Sequence, residues 1–69
     1  MIIQLNGKER EIADPTSVLG LIDSLSLNPK QVAVEVNREI VKRTSFESVL
    51  LQDGDEVEIL HFVGGGAKK

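Results

Sequence analysis

The sequence predicts an α+β domain, a mixed sheet of four to five strands with one packed helix. Met1, Ile3 and Leu5 alternate with Gln4 and Asn6, and Val32, Val34 and Val36 alternate with Ala33, Glu35 and Asn37. That period of two marks half-buried strands. Val18, Leu21, Ile22 and Leu25 recur at helical spacing and form one apolar stripe. With 69 residues there is room for one small domain and little room for a deep enclosed active site.

The elements follow in order. Met1 to Asn6 is the first strand, and Asn6-Gly7 is a two-residue hairpin turn, because both residues tolerate positive φ. Lys8 to Ala13 returns as a second strand. Its charges suit an edge, where they discourage further pairing. Asp14-Pro15 is expected to start the helix, with Asp14 as cap and Pro15 at the first helical position. Gly20 weakens that helix by up to about 1 kcal/mol relative to alanine. Leu27 continues the core contact, and Asn28-Pro29 marks a turn. Val32 to Val36 is the clearest strand, Arg38-Glu39 a turn, and Ile40-Val41 a short return strand. Thr44 to Leu51 connects, with one helical turn and Phe46, Val49 and Leu50 as anchors. Asp53-Gly54-Asp55 turns the chain into the last strand, Glu56 to Phe62.

One helix covers one face of such a sheet. The compact solution lays the last strand beside the first, in parallel, after a right-handed crossover. That arrangement is the β-grasp fold. Residues 1–63 are expected to form it, and residues 64–69 a flexible glycine-rich tail. The net charge is −3 and the aromatics are Phe46 and Phe62, which argues against a nucleic-acid partner. Cysteine is absent, which excludes a disulfide scaffold, a thiolate metal site and a cysteine nucleophile. Apolar runs are far too short for a membrane span, and Met1 to Leu5 lacks the pattern of a signal peptide. No membrane partner and a cytoplasmic location are therefore expected.

The tail carries most of the functional information. Gly64, Gly65 and Gly66 follow directly on an apolar strand end. A glycine run is ordinarily a linker, yet three residues follow it. The other reading is a backbone thin enough to thread a narrow channel in another protein. Three to four extended residues reach roughly 10–14 Å. If Val57 and Ile59 face the helix, Leu60 and Phe62 point outward with Glu58 and leave an apolar patch beside the tail. Phe62 folding back over the sheet edge is the alternative. His61 has no partner for catalysis or ligation and is expected at the rim. Asp53, Asp55, Glu56 and Glu58 lack the remaining ligand positions of a calcium loop and read as turn and surface chemistry. No serine has a base at a recognisable spacing.

These residues resemble a known family. The stretches 1–7 (Met-Ile-Ile-Gln-Leu-Asn-Gly), 34–43, 53–59 and 61–66 (His-Phe-Val-Gly-Gly-Gly) are similar, in order, to the ThiS family of ubiquitin-like β-grasp sulfur carriers of thiamine biosynthesis. The resemblance implies a non-enzymatic cosubstrate with no catalytic residues, no metal and no bound cofactor. It implies that Gly66 carries the reactive carboxyl, that Gly64 and Gly65 form its tether, and that Leu60, Phe62 and Val63 dock partners. Those partners would be an adenylating, E1-like enzyme that uses ATP, a sulfur-donating desulfurase relay and thiazole synthase. Family chains end at the diglycine, whereas Ala67-Lys68-Lys69 follow here. A processing protease would remove them, unless they are foreign to the chain or mark a protein without this chemistry. Carriers for molybdopterin, cysteine or methionine synthesis, and a ubiquitin-like binding module without glycine chemistry, remain the alternatives.

Overall fold

The computed structural model describes residues 1–62. β1 (Ile2–Leu5) and β2 (Lys8–Glu11) form a hairpin, and α1 (Val18–Ser24) follows. β3 (Val32–Val36) and β4 (Glu39–Val41) form a second hairpin, and β5 (Glu56–His61) is the last strand described. The sheet order is β2-β1-β5-β3-β4, with β5 parallel to β1 and antiparallel to β3. This is the mixed sheet and single helix that the sequence predicts, with five strands.

Alternation decides what each strand buries. Ile3, Val32, Val34 and Val57 point to the helix side and are buried there with Val18, Leu21 and Ile22 of α1. Phe46 and Leu51 complete this core, and Met1, Leu5, Leu25 and Leu27 pack around it. No described side chain buries an unpaired polar atom, so the core carries no desolvation penalty of that kind.

Several boundaries differ from the sequence expectation, each for a local reason. The helix cap is Ser17, whose Oγ accepts from the Gly20 amide at 2.9 Å, and Asp14 does not take that role. Residues 16 and 17 are tied in extended form to the connecting segment: the Val18 amide reaches the Val49 carbonyl, and the Leu51 amide the Thr16 carbonyl, both at 2.9 Å. The helix therefore cannot begin at Pro15. Its end is set by Ser26, at φ 59, and by the Leu27 amide closing on the Ile22 carbonyl at 3.2 Å, a left-handed helix stop.

The same pairing corrects the connecting segment. The helical turn there is Arg43–Ser45, and the chain is extended where Leu50 bridges Ser17. Alternation then buries Leu51 and leaves Leu50 56% exposed, so Leu51 replaces Leu50 as the anchor. The second hairpin turns at Asn37 (φ 52) and Arg38 (φ 71), one residue earlier than expected, which matches the Asn6 (φ 50) and Gly7 (φ 83) turn of the first. Two successive left-handed residues suit the twist of a hairpin. β2 stops at Glu11 rather than Ala13, and β5 at His61 rather than Phe62. The expected boundary between residues 63 and 64 lies outside the described residues.

Replacing Ile22 by alanine should destabilise the protein by about 2–5 kcal/mol in denaturant unfolding, as expected for a fully buried side chain. Leu51→Ala should fall in the same range of about 2–5 kcal/mol, whereas Leu50→Ala should stay within about 0.5 kcal/mol of the parent. Equal losses at positions 50 and 51 would contradict the alternation.

Candidate functional site

The described residues leave the face of the sheet opposite the helix uncovered. Pairing across the strands puts Ile2 and Gln4 of β1, Glu9 and Glu11 of β2, Ala33 and Glu35 of β3, Ile40 of β4, and Glu56, Glu58 and Leu60 of β5 on it. The face is thus divided by chemistry. Glutamates occupy its middle and its β2 side, Ile2 is exposed on β1, and Leu60, Ala33 and Ile40 gather toward the β3–β4 side. Ala33 lies directly beside Leu60, and Glu35 beside Ile40. Leu60 is 64% exposed and Ile40 77% exposed, both on the sheet face away from the core. Together with Ala33, Glu35 and Glu58 they line a shallow hollow of about 510 Å³.

Phe62 stands at the rim of this patch. Its amide bonds the Gln31 carbonyl at 2.8 Å, which continues the β3 pairing one residue past β5. The residue is 48% exposed and borders a smaller hollow of about 210 Å³ with Val32, Lys42, Arg43 and Phe46. Arg43 is held there by its own bonds, from Nε to the Pro29 carbonyl at 3.0 Å and from Nη2 to the Lys30 carbonyl at 3.4 Å. Leu60 and Phe62 are thus exposed, as the sequence predicts. The sequence reading missed Ile40 and Ala33. Placing Val41 inward, as its hydrophobicity suggests, would have sent Ile40 outward by alternation. Val63, Gly64, Gly65 and Gly66 lie outside the described residues, as do Ala67, Lys68 and Lys69.

The remaining candidates have structural tasks. Asp53 Oδ1 accepts from the Ile2 amide at 2.7 Å, and Asp55 accepts from the Gln52 amide at 2.8 Å and from Asn37 Nδ2 at 3.0 Å. These carboxylates shape the turn before β5. His61 is exposed at the strand end opposite Val32. Among the described residues, no group of three histidine, cysteine, aspartate or glutamate side chains is placed to hold a metal ion. No described helix is long and apolar enough to cross a membrane.

A five-stranded mixed sheet with one helix on one face, and an apolar patch on the other where the last strand ends, defines a ubiquitin-like β-grasp protein. Comparison with known proteins narrows this class. The ThiS family model matches residues 3–66. The sulfur carrier protein ThiS of Bacillus subtilis is 42% identical over 66 residues, which cover 94% of this chain and all of that protein. A crystal structure of a thiamine biosynthesis protein (ThiS) from Geobacter metallireducens superposes with a TM-score of 0.81 at 36% identity, covering 96% of this chain and all of that one. The chain belongs to the ThiS family. A thiazole synthase of Magnetococcus marinus is also similar, 41% identical over 66 residues that cover 96% of this chain. The chain spans about a fifth of the length of that protein and of a similar thiazole synthase from Paramagnetospirillum magneticum.

Leu60→Lys and Ile40→Lys should each leave unfolding stability within about 1 kcal/mol of the parent, the range that strand substitutions span on an exposed face. A cooperative loss of the fold in either variant would place the side chain in the core.

Proposed function

We propose that this chain is a sulfur carrier for thiamine thiazole synthesis and has no catalytic residues of its own. The ThiS match carries this reading, because it runs through Gly64 and Gly65 to Gly66. In the proposed reaction a free carboxylate at Gly66 attacks the α-phosphorus of ATP in an adenylating partner, and pyrophosphate leaves. The terminal sulfur of a persulfide on a desulfurase relay then displaces AMP to give an acyl disulfide. A second thiol breaks its S–S bond, leaving a thiocarboxylate on Gly66 and a disulfide on the relay. Thiazole synthase is the proposed acceptor. The stretch similar to this chain within two thiazole synthases supports that choice. The carrier itself would hold no cofactor, since ATP is consumed by the partner. Such a reaction belongs to the cytoplasm, where ATP and reduced sulfur are supplied.

In this reading the protein contributes a handle and a tether. Leu60, Phe62 and Val63 would be the handle, together with Ile40, which shares hollows with Leu60 and Phe62, because interfaces draw most of their energy from a few apolar anchors. Gly64 and Gly65 would be the tether, since a side chain there would clash in a channel shaped for bare backbone. Ala67-Lys68-Lys69 bury the Gly66 carboxyl in a peptide bond, so a processing protease would have to act first. Loss of Lys68 and Lys69 leaves six basic residues against eleven acidic ones, a net of −5 in place of −3. With Glu35 and Glu58 bordering the patch, the partner surface would be basic.

The decisive experiment compares the full chain with one ending at Gly66, each incubated with ATP, the adenylating enzyme and a sulfur donor. Intact mass should show sulfur in place of one oxygen on the terminal residue of the shorter chain and no change in the longer one. A shorter chain that stays unmodified, with activators of the thiamine, molybdopterin and cysteine pathways alike, would leave a binding module without glycine chemistry. Leu60→Lys should weaken binding to the activator by tenfold or more, roughly the loss of one interface anchor. The association rate should fall as salt rises. A salt-independent rate would mean that the glutamates do not face the partner.

A further inference from the structure

We propose that the Asn6 side chain is a positioning residue, standing in for a missing strand residue and locking the end of β5 that leads to the glycine run. The functional half of this inference rests on the sulfur-carrier reading.

β1 runs parallel to β5, but their pairing stops at Leu5 and Val57. Asn6 then enters the left-handed turn and the chain leaves the ladder for β2. Its backbone amide still reaches the Val57 carbonyl at 2.9 Å. In a continuing parallel ladder the next bond would run from the Ile59 amide to the carbonyl of residue 6. The turn takes that residue out of strand conformation, and its carboxamide makes the bond instead. Asn6 Oδ1 accepts from the Ile59 amide at 2.9 Å, and Nδ2 donates to the Ile59 carbonyl at 3.3 Å. One side chain thus satisfies both polar groups of one β5 residue, as a neighbouring strand would. Past this point the described pairing of β5 is with β3, through Leu60 to Ala33 and His61 to Val32. Among the described residues, Asn6 is therefore the last support on the β1 side, immediately before Leu60 and Phe62.

Asn37 supplies an internal control. It holds the same left-handed turn position in the second hairpin. Its Oδ1 accepts from the Glu56 amide at 3.0 Å, and its own amide bonds the Glu56 carbonyl at 2.7 Å. It secures the start of β5, whereas Asn6 secures the part that carries the patch. A partner docking on Leu60 and Phe62 meets anchors already ordered by Asn6, and so loses less conformational freedom on binding. Without that clamp the cost of ordering falls on the docking step.

Asn6→Gly and Asn37→Gly test this, because glycine keeps each positive-φ turn and removes the side-chain bonds. Amide hydrogen exchange on the 69-residue chain gives the first readout. Asn6→Gly should speed exchange at Ile59 by about tenfold more than at Leu21, which reports global opening. Asn37→Gly should change the two in step. The second readout is pyrophosphate release by the adenylating enzyme of the same organism, with the chain ending at Gly66. That cut leaves every described strand and the helix intact. Asn6→Gly should raise KM about tenfold with kcat unchanged, and Asn37→Gly should leave KM within about twofold. Ile59 exchanging in step with Leu21 in Asn6→Gly, or equal KM increases in both variants, would overturn the inference. If the unsubstituted chain ending at Gly66 is not activated at all, the sulfur-carrier reading fails. The exchange comparison then still decides whether Asn6 holds β5.

Discussion

β5 is the strand on which both hairpins are assembled, and its pairing on two sides is the constraint from which the rest follows. It lies in the middle of the sheet, with β1 on one side and β3 on the other. Neither hairpin reaches the other without it. Each hairpin turns through an asparagine in left-handed conformation, and each asparagine places its carboxamide on β5, at Ile59 and at Glu56. The turns therefore close their own hairpins and also set the register of the central strand. The incoming turn is tied just as locally, by Asp53 to the Ile2 amide and by the Gly54 amide to the Ile2 carbonyl at 2.8 Å. The β1–β5 pairing joins the two ends of the described chain, so it forms at the cost of closing a long loop.

With β5 held on both sides, its period of two becomes a division of labour. Val57 is buried and Ile59 is packed against the core, while Glu58 and Leu60 face water. A domain this small buries a limited share of its surface, and scattered apolar exposure needs no explanation. Leu60 and Ile40 are different because they share one hollow with Ala33 on a sheet face that the described residues leave uncovered. Glu35 and Glu58 line the same hollow and set negative charge beside these apolar side chains.

Under the sulfur-carrier reading, no enclosed active site is needed, because the partners would supply the chemistry. In that reading the fold presents an apolar handle near the end of the last described strand. The support that β5 receives from both neighbouring strands then matters for how Leu60 is presented. The absence of cysteine fits such a carrier, which would hold its sulfur on a backbone carboxyl rather than a thiol.

Local patterns determined much of this. The strands from Ile3 and from Val32 were legible from alternation, α1 from the stripe of Val18, Leu21 and Ile22, and the first hairpin from Asn6-Gly7, because these signals depend on neighbours in the chain. The outward direction of Leu60 followed from the same alternation, and the stretches 1–7, 34–43, 53–59 and 61–66, taken together and in order, suggested the family. What needed the tertiary structure were features set by residues distant in sequence. Ser17 caps the helix because residues 16 and 17 pair with the segment near Leu50, and that same pairing buries Leu51 in its place. Ile40 joins Leu60 only once β4 and β5 flank β3. Asn6 reads as a turn residue in the sequence, and its second task at Ile59 exists because a parallel strand from 53 residues away ends up beside it. Such a contact has no local signature, since nothing near Asn6 in the chain records which backbone its carboxamide will meet.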